Sequence, residues 1–260
     1  MRSTPLIALL ALSPLAAQDG QMSAPQAGHW NFGVVRQAPD FTGNYAKTGE
    51  SSWDTDRDLG LSKDKTGVGA LLDYEGRRFL LHMAAYDQSY VGDKILTQTV
   101  TINNQAFAAT ARLQSQIKLR DYELDWTIKL WRWDAAYIGL DLGFNAWKLD
   151  VSAVGTSTSG PVVTQSATDS VTVPIPQIGL SAGGHFGSSV DFRGYYNLLS
   201  RSGASYHRAG VDLRYFPLTW LGVRANFENE GFDVPKGSIG TDTTLHITKN
   251  GGGFGVIARF

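Results

Sequence analysis

Alternation of apolar and polar residues recurs along this chain and constrains its fold more than any other feature. The clearest segment is 135–149, whose apolar face consists of Ile138, Leu140, Leu142, Phe144 and Ala146. Successive side chains of a β-strand point to opposite faces, so such a segment is a strand with one apolar and one polar face. The same period recurs in residues 121–130, 189–198, 208–215 and 221–228. The pattern therefore predicts an all-β protein.

Turn residues between the alternating segments divide the chain into about ten antiparallel strands. Eight is the alternative if one weak segment is not a strand. The expected strands are 30–40, 66–75, 78–89, 111–130, 135–149, 174–183, 188–199, 204–216, 220–232 and 243–260. A kink is expected near Arg120, where the apolar phase slips. An even number of strands brings both chain ends to the same side of a closed up-and-down barrel.

The connections between these strands alternate in length. Short turns are expected near 75–77, 132–134, 183–187 and 217–219, and longer polar connections near 41–65, 90–110, 151–173 and 233–243. Short turns on one side and long loops on the other are typical of transmembrane β-barrels in the Gram-negative outer membrane. A soluble sandwich or lipocalin also has alternating apolar and polar residues. The difference in connection length is therefore what favours the membrane barrel over these soluble folds.

Aromatic residues cluster beside the short turns. They are Tyr74, Phe79, Trp131, Trp133, Tyr137, Tyr215, Phe216 and Trp220. Amphipathic rings prefer the headgroup level of a membrane, so the cluster predicts an interfacial girdle.

The N-terminus has the three parts of a cleaved secretory signal: a basic residue, a short apolar run and small residues. The apolar run is about half the length that a membrane-spanning helix needs. We expect a signal peptide over 1–18, a flexible leader over 19–28 and the barrel over 29–260.

Composition excludes several classes of protein. The formal net charge of -1 creates no field that would attract nucleic acid. There are no cysteines, so disulfides do not hold this exported chain together. No residue pattern indicates a cofactor.

The last strand has Phe254, Val256, Ala258 and Phe260 on one face and ends on an aromatic residue. Outer-membrane barrels typically end in this way, and Phe260 is the expected assembly signal. The mature chain also resembles a group of small Gram-negative outer-membrane β-barrel proteins, through Asp58-Leu59-Gly60-Leu61 after the first loop and Pro174-Ile175-Pro176 at a middle strand. The resemblance implies the barrel fold and its location. That group carries no known catalytic residues, so none are transferred.

The inward face of the predicted barrel carries charges of both signs. The expected lumen charge network consists of Asp121, Glu123, Asp125, Asp141, Asp191, Arg193, Asp212, Arg214, Arg224 and Glu228. A barrel of eight to ten strands is barely wider than its side chains, and an unpaired buried charge costs several kcal/mol. We expect Arg193, Arg214 and Arg224 to pair with Asp191, Asp212, Glu228 or the acidic cluster on 121–125. The network is then a plug; the alternative is a narrow wet passage.

Catalytic and metal sites find little support in the sequence. Ser205 and His207 share a strand face, but their order is the reverse of the His-x-Ser of known barrel lipases and deacylases. Asp54, Asp56 and Asp58 alternate in the first long loop but lack the full calcium-loop pattern. We expect no catalytic residues and no metal.

The sequence therefore predicts an integral outer-membrane barrel with a structural or interaction role through its extracellular loops, and no enzymatic activity. A narrow pore for small solutes is the alternative, and a lipid-modifying enzyme is the third possibility. Expected partners are outer-membrane lipid and lipopolysaccharide, the barrel-assembly machinery and an unidentified loop ligand.

Overall fold

The computed structural model describes residues 28–47, 52–61, 64–158, 162–201, 203–237 and 243–260. The expected signal peptide and nearly all of the leader lie outside these residues. The strands are β1 (His29–Gln37), β2 (Asp40–Lys47), β3 (Trp53–Asp54), β4 (Asp64–Glu75), β5 (Phe79–Ile95), β6 (Val100–Ile102), β7 (Gln105–Phe107), β8 (Arg112–Arg132), β9 (Ala136–Thr156), β10 (Thr164–Phe186), β11 (Val190–Arg201), β12 (Ala204–Leu218), β13 (Leu221–Val234) and β14 (Thr243–Arg259). Within the described part of the chain, no helix is long and apolar enough to cross a membrane.

Ten of these strands form a closed antiparallel ring, which confirms the predicted fold. The order is β1-β4-β5-β8-β9-β10-β11-β12-β13-β14, and β14 pairs back onto β1. The amide of Trp30 donates to the carbonyl of Phe260 at 2.7 Å, and the amide of Phe260 donates to the carbonyl of Trp30 at 2.9 Å. Closure leaves no edge strand with unpaired backbone groups at this seam.

The first strand is longer than expected and consists of two pieces. β1 pairs with residues 253–259 of β14, and β2 pairs with residues 243–250 of the same strand. Ala38 and Pro39 separate the pieces, because proline has no amide to donate to the ladder. The short β3 adds to β2 through Asn44 and Tyr45.

Two of the predicted long loops, 90–110 and 151–173, are largely strand, which corrects the sequence-based boundaries. β5 continues to Ile95, β9 to Thr156, and β10 already begins at Thr164. The connection between β5 and β8 contains the β6–β7 hairpin. The extensions of β9 and β10 contain many Ser and Thr residues, whose weak hydrophobic contrast hides the strand period. All long connections emerge at one end, the loop end; the short turns and both termini of the barrel lie at the other, the turn end.

The predicted kink near Arg120 is wrong. β8 pairs continuously with β5 and β9 through this point, and the only register shift lies between Lys129 and Trp131. Inward and outward positions alternate without a slip. What changes at Arg120 is the chemistry of the inward face, from the apolar Leu119 to the charged Asp121.

The outward face carries an apolar band around the barrel. It includes Phe32, Val34, Leu124, Trp126, Leu142, Phe144, Ile178, Leu180, Leu198, Val211, Leu213, Val223, Phe254 and Val256, all at least 39% exposed. Trp131, Trp133, Tyr215 and Trp220 point outward near the turn end, as the girdle prediction requires. The prediction is wrong for two rings, which are buried inside: Tyr137 and Phe216.

Two layers fill the interior. The charged layer lies at the level of the apolar band and consists of Asp73, His82, Asp121, Glu123, Asp125, Asp141, Arg193, Arg208, Asp212, Arg214, Arg224, Glu228, Glu230 and Lys249. The apolar cap lies above it at the loop end and includes Phe41, Trp53, Leu59, Leu61, Tyr90, Val100, Ile102, Phe107, Leu113, Ile117, Leu119, Trp147, Leu149, Ile175, Tyr206, Phe232 and Ile247. A cross-section at either level is therefore occupied by side chains.

Candidate functional site

Arg208 on β12 is the centre of the charged layer. Its Nη2 lies 2.5 Å from Glu123 Oε2, its Nη1 3.0 Å from Asp125 Oδ2, and its Nε 2.7 Å from Glu228 Oε2. The guanidinium carbon also lies 4.9 Å from the ring centroid of Tyr195. The planar guanidinium fork can satisfy several carboxylates at once, and this is how one cation links β8 to β13 across the barrel.

Lys249 on β14 is the second cation of this cluster. Its Nζ lies 2.6 Å from Asp121 Oδ2, 2.5 Å from Glu230 Oε2 and 3.6 Å from Glu228 Oε1. The ammonium also lies 5.6 Å from the ring centroid of Trp147, at the border with the apolar cap. The upper half of the charged layer thus joins β8, β13 and β14.

His82 connects the upper and lower halves of the charged layer. Its Nδ1 makes a short contact with Asp73, and its Nε2 lies 3.4 Å from Glu123 Oε2. Both ring nitrogens face carboxylates, an arrangement that suits the doubly protonated ring, which donates from both.

Two arginines near the turn end form the lower half. Arg214 Nη2 lies 2.5 Å from Asp73 Oδ2, and its Nε lies 2.8 Å from Asp212 Oδ1. Arg224 pairs with the other oxygen of Asp212. Each carboxylate here has at least one arginine partner, so this half needs no counterion from solvent.

A separate pair involves Arg193 and Asp141. Arg193 Nη2 lies 3.3 Å from Asp141 Oδ2, while the other oxygen of Asp141 accepts hydrogen bonds from the hydroxyls of Thr127 and Ser181 at 2.6 and 2.8 Å. The carboxylate is fully buried and satisfied by three neighbours.

Nine of the ten predicted network residues therefore lie in ion pairs of the charged layer. Asp191 does not: it pairs with Arg259 near the turn end, where both side chains are partly exposed. The expected partner of Arg193 was also wrong, since it takes Asp141.

Sequence reasoning left five members of the layer out of the network: Asp73, His82, Arg208, Glu230 and Lys249. The strand period could have found them, because each lies on the face of its strand opposite the exposed apolar residues. Their partners could not have been read in this way, because contacts across the lumen depend on the stagger of the closed sheet.

Small inward residues make room for the large charged ones. A Cβ at Gly210 would lie 2.4 Å from atoms of the Tyr195 ring, and a Cβ at Gly143 would lie 2.7 Å from Gln177 Nε2. Gln177 in turn donates to Asp125 at 2.8 Å. Glycine at these positions lets the network pack against the barrel wall.

The Asp58-Leu59-Gly60-Leu61 segment of the first loop has a structural role in this fold. Asp58 accepts a hydrogen bond from the backbone amide of Asp54 at 2.9 Å and from Arg57 Nη2 at 2.8 Å. Burial alone would raise the pKa of the Asp58 carboxyl, but the hydrogen bonds from Arg57 and Asp54 outweigh it and hold this pKa below its usual range. Leu59 and Leu61 then insert into the apolar cap.

The alternating aspartates of this loop are occupied by the protein itself. Asp54 Oδ1 accepts the backbone amides of Asp56 and Arg57 at 2.9 and 2.6 Å. The carboxylate of Asp58 is turned toward Arg57 and Gln98. The two carboxylates hold the turn, which accounts for their spacing.

The Ser205–His207 pair lies on the outward face of β12, with both side chains exposed. Asp233 is the cross-strand partner of Ser205, and its carboxylate lies 3.8 Å from His246 Nδ1. Within the described residues, no hydrogen bond joins the hydroxyl of Ser205 to the ring of His207.

The closed ladder, the apolar outer band and the polar interior form one consistent arrangement. Only such a barrel satisfies every backbone group of strands in lipid, and the apolar band supplies the lipid-facing surface. This is an outer-membrane β-barrel. In barrels of this kind the long loops face outward, so we expect the loop end to be extracellular and the turn end periplasmic.

Solved structures of outer-membrane proteins are similar to this chain. The outer membrane protease OmpT from Escherichia coli matches with a TM-score of 0.65 and 10% identity, over 89% of this chain and 97% of that one. The attachment invasion locus protein Ail of Yersinia pestis matches with a TM-score of 0.34 and 11% identity, over 90% and 99%. The toluene transporter TodX of Pseudomonas putida matches with a TM-score of 0.35 and 8% identity, over 91% and 89%. At these identities the likeness concerns the fold alone. No family model and no curated protein sequence matches.

Proposed function

We propose that this outer-membrane barrel is sealed and that its role is structural or interaction-bearing through its extracellular end. The observation that carries the proposal is the filling of the lumen at two successive levels, first by the charged layer and then by the apolar cap. A solute that passed one level would meet the other.

The charged layer supports a seal because its groups bind one another. Arg208 and Glu123 are at most 4% exposed and lie in direct contact. A water-filled passage needs charges that face water, whereas these charges are desolvated and paired. Opening the layer would strand several of them at once.

The apolar cap supports the same proposal with different chemistry. The β6–β7 hairpin folds into the barrel mouth, and its Val100, Ile102 and Phe107 are at most 1% exposed. Trp53 and Leu59 enter from the first loop. Buried apolar side chains offer water no hydrogen-bond partners, which supports a dry, closed mouth.

The narrow pore remains the alternative function, and permeation separates the two. Vesicles reconstituted with the protein should admit small sugars and ions no faster than empty vesicles. A large porin provides the positive control. Solute entry above the empty-vesicle rate would replace the sealed barrel with the pore.

The extracellular position of the loop end can be tested separately, because the chain contains no cysteine. Single variants Ala109→Cys, exposed beside the β6–β7 hairpin, and Ser188→Cys, exposed in a short turn, carry one thiol each. A membrane-impermeant maleimide should label the first in intact cells and the second only after permeabilisation. The opposite pattern would invert the barrel and remove the extracellular role.

A further inference from the structure

The outer wall formed by β8 and β9 carries an unusual pair of like charges. Arg120 and Lys148 are directly opposite each other in the β8–β9 register, and both point outward. Like charges at cross-strand positions destabilise a sheet unless something compensates them. Lys118, two residues further along β8, adds a third cation on the same side.

The protein compensates these cations only in part. Arg120 Nη1 lies 3.4 Å from Asp150 Oδ2 and its Nε 4.0 Å from Asp87 Oδ2, while Lys148 Nζ lies 3.9 Å from Asp150 Oδ1. That oxygen of Asp150 already accepts the hydroxyl of Ser170 at 2.6 Å. Among the described residues, no carboxylate lies within 4.0 Å of the Lys118 ammonium.

These three cations stand at the outer boundary of the apolar band. On β8 the next outward residue toward the membrane is Tyr122, followed by Leu124 and Trp126. On β9 the outward residues below Lys148 include Phe144 and Leu142. Their place on the extracellular side puts the cations at the headgroups of the outer leaflet.

A polar groove of about 460 Å³ continues from the cations toward the extracellular end. Hydroxyl, amide and charged side chains line it, among them Gln116, Lys118, Arg120, Ser152, Thr168 and Ser170. Such groups suit the hydroxyls of a sugar, which both donate and accept hydrogen bonds.

An apolar groove of about 490 Å³ lies on the same strands within the membrane band. Its lining includes Phe79, Leu81, Leu124, Trp126, Leu142 and Phe144. Leu124 is four residues from Arg120, so the groove begins roughly 13 Å below the cations along the strand.

We propose that this wall of β5, β8, β9 and β10 binds one molecule of lipopolysaccharide. Its lipid A phosphates lie against Arg120, Lys148 and Lys118, its sugars lie in the polar groove, and an acyl chain lies in the apolar groove. The order of the three surfaces along the strands matches the order of phosphorylated sugar and acyl chain in this glycolipid. An anion at the two opposed cations relieves the repulsion that Asp150 only partly offsets.

The test measures binding of purified lipopolysaccharide to the folded barrel in detergent, with a chelator present so that divalent ions cannot bridge carboxylates to phosphates. The variant is Lys118→Gln/Arg120→Gln/Lys148→Gln. The matched control is Arg36→Gln, which removes an exposed outward cation on β1 whose cross-strand neighbours are Val68 and Phe254.

The triple variant should bind lipopolysaccharide about tenfold more weakly or worse, and the control should bind as the wild type does. The wild type should bind dephosphorylated lipid A more weakly than the phosphorylated form by a similar factor. The triple variant should bind the two forms with little difference in affinity. Phosphatidylglycerol should fail to compete. If the triple variant does not fold, Lys118→Gln alone, which breaks no ion pair among the described residues, should still weaken binding measurably.

Three results would overturn the proposal. They are unchanged lipopolysaccharide affinity in the folded triple variant, an equal loss in Arg36→Gln, and effective competition by phosphatidylglycerol. The last two would indicate diffuse attraction to any anionic lipid. None of them bears on whether the lumen is sealed.

Discussion

Arg208 on β12 contacts Glu123 on β8, with 2.5 Å between Nη2 and Oε2, although 85 positions separate them in the chain. Three strands of the ring, β9, β10 and β11, lie between the two residues along the sheet, so the contact crosses the lumen. The barrel is therefore braced from within as well as by its backbone ladder.

Removing this brace should destabilise the barrel strongly. Arg208→Ala removes the guanidinium that contacts Glu123, Asp125 and Glu228 and leaves Asp125 without an ion-pair partner among the described residues; breaking a fully buried pair costs about 3–5 kcal/mol. Urea unfolding of the barrel in lipid vesicles, followed by tryptophan fluorescence, measures the change. Arg36→Ala, which removes an exposed outward arginine, is the control and should change stability by less than about 0.5 kcal/mol. Equal stability of the two variants would mean that water already solvates the charged layer.

Phe107 should anchor the β6–β7 hairpin in the barrel mouth. It is 1% exposed, and its ring lies so close to Gly155 that a Cβ there would be 2.3 Å from Cδ1. Phe107→Ala creates a cavity and should weaken the hairpin by up to about 3–5 kcal/mol. Faster proteolysis of the hairpin in intact vesicles measures the effect. Val162→Ala, at a residue 79% exposed, should leave the rate unchanged, and the proposal of an anchored cap fails if both variants behave alike.

Asp58 should make the first loop sensitive to acid. Its folded pKa is lowered from the ordinary value, so its stabilising contribution is present at neutral pH and is lost as the pH falls through the folded pKa. The window therefore begins near pH 4, the ordinary value for an aspartate, and extends below it. Amide hydrogen exchange over 54–61, corrected for intrinsic rates, should rise in this window.

Asp58→Asn should increase exchange at pH 7 by roughly tenfold and remove the acid dependence, since about 1–2 kcal/mol of hydrogen bonding to a charged group is lost. Asp56→Asn, at an exposed side chain in the same turn, is the control. If exchange in Asp58→Asn still depended on pH in this window, the acid sensitivity of the loop would come from another group.

Deletion of Phe260 tests the assembly signal. Its side chain is 70% exposed on the outside, and its backbone closes the seam to Trp30. We expect export of the truncated precursor to continue while insertion into the outer membrane falls severalfold, measured by fractionation and by heat-modifiable migration on gels. Phe254→Ala, on the same outward face, should insert normally. Normal insertion without Phe260 would make the terminal aromatic incidental.

The strand period alone was enough to predict the ring of ten strands, because buried and lipid-facing sides differ sharply where the barrel crosses the membrane. It failed above the membrane, where the outward side of β10 carries only Thr and Ser from Thr164 to Thr172 and so has little apolar contrast. At Arg120 the inward face changes from apolar Leu119 to charged Asp121, and the sequence analysis wrongly interpreted this change as a slip of the alternation. The alternation could have placed Lys249 on the inward face. Its three carboxylate partners could not be predicted, because they depend on the register of the closed sheet.

The central claim is that the lumen is sealed, and planar-bilayer recording tests it most directly. Wild-type protein should show no steady conductance above the bare bilayer. Arg214→Ala removes one cationic partner from each of Asp73 and Asp212 beneath an intact apolar cap, so it should melt at a lower temperature while conductance stays at baseline. Steady wild-type conductance, with an altered ion preference and unchanged melting in Arg214→Ala, would contradict the sealed barrel and establish an open, hydrated lumen.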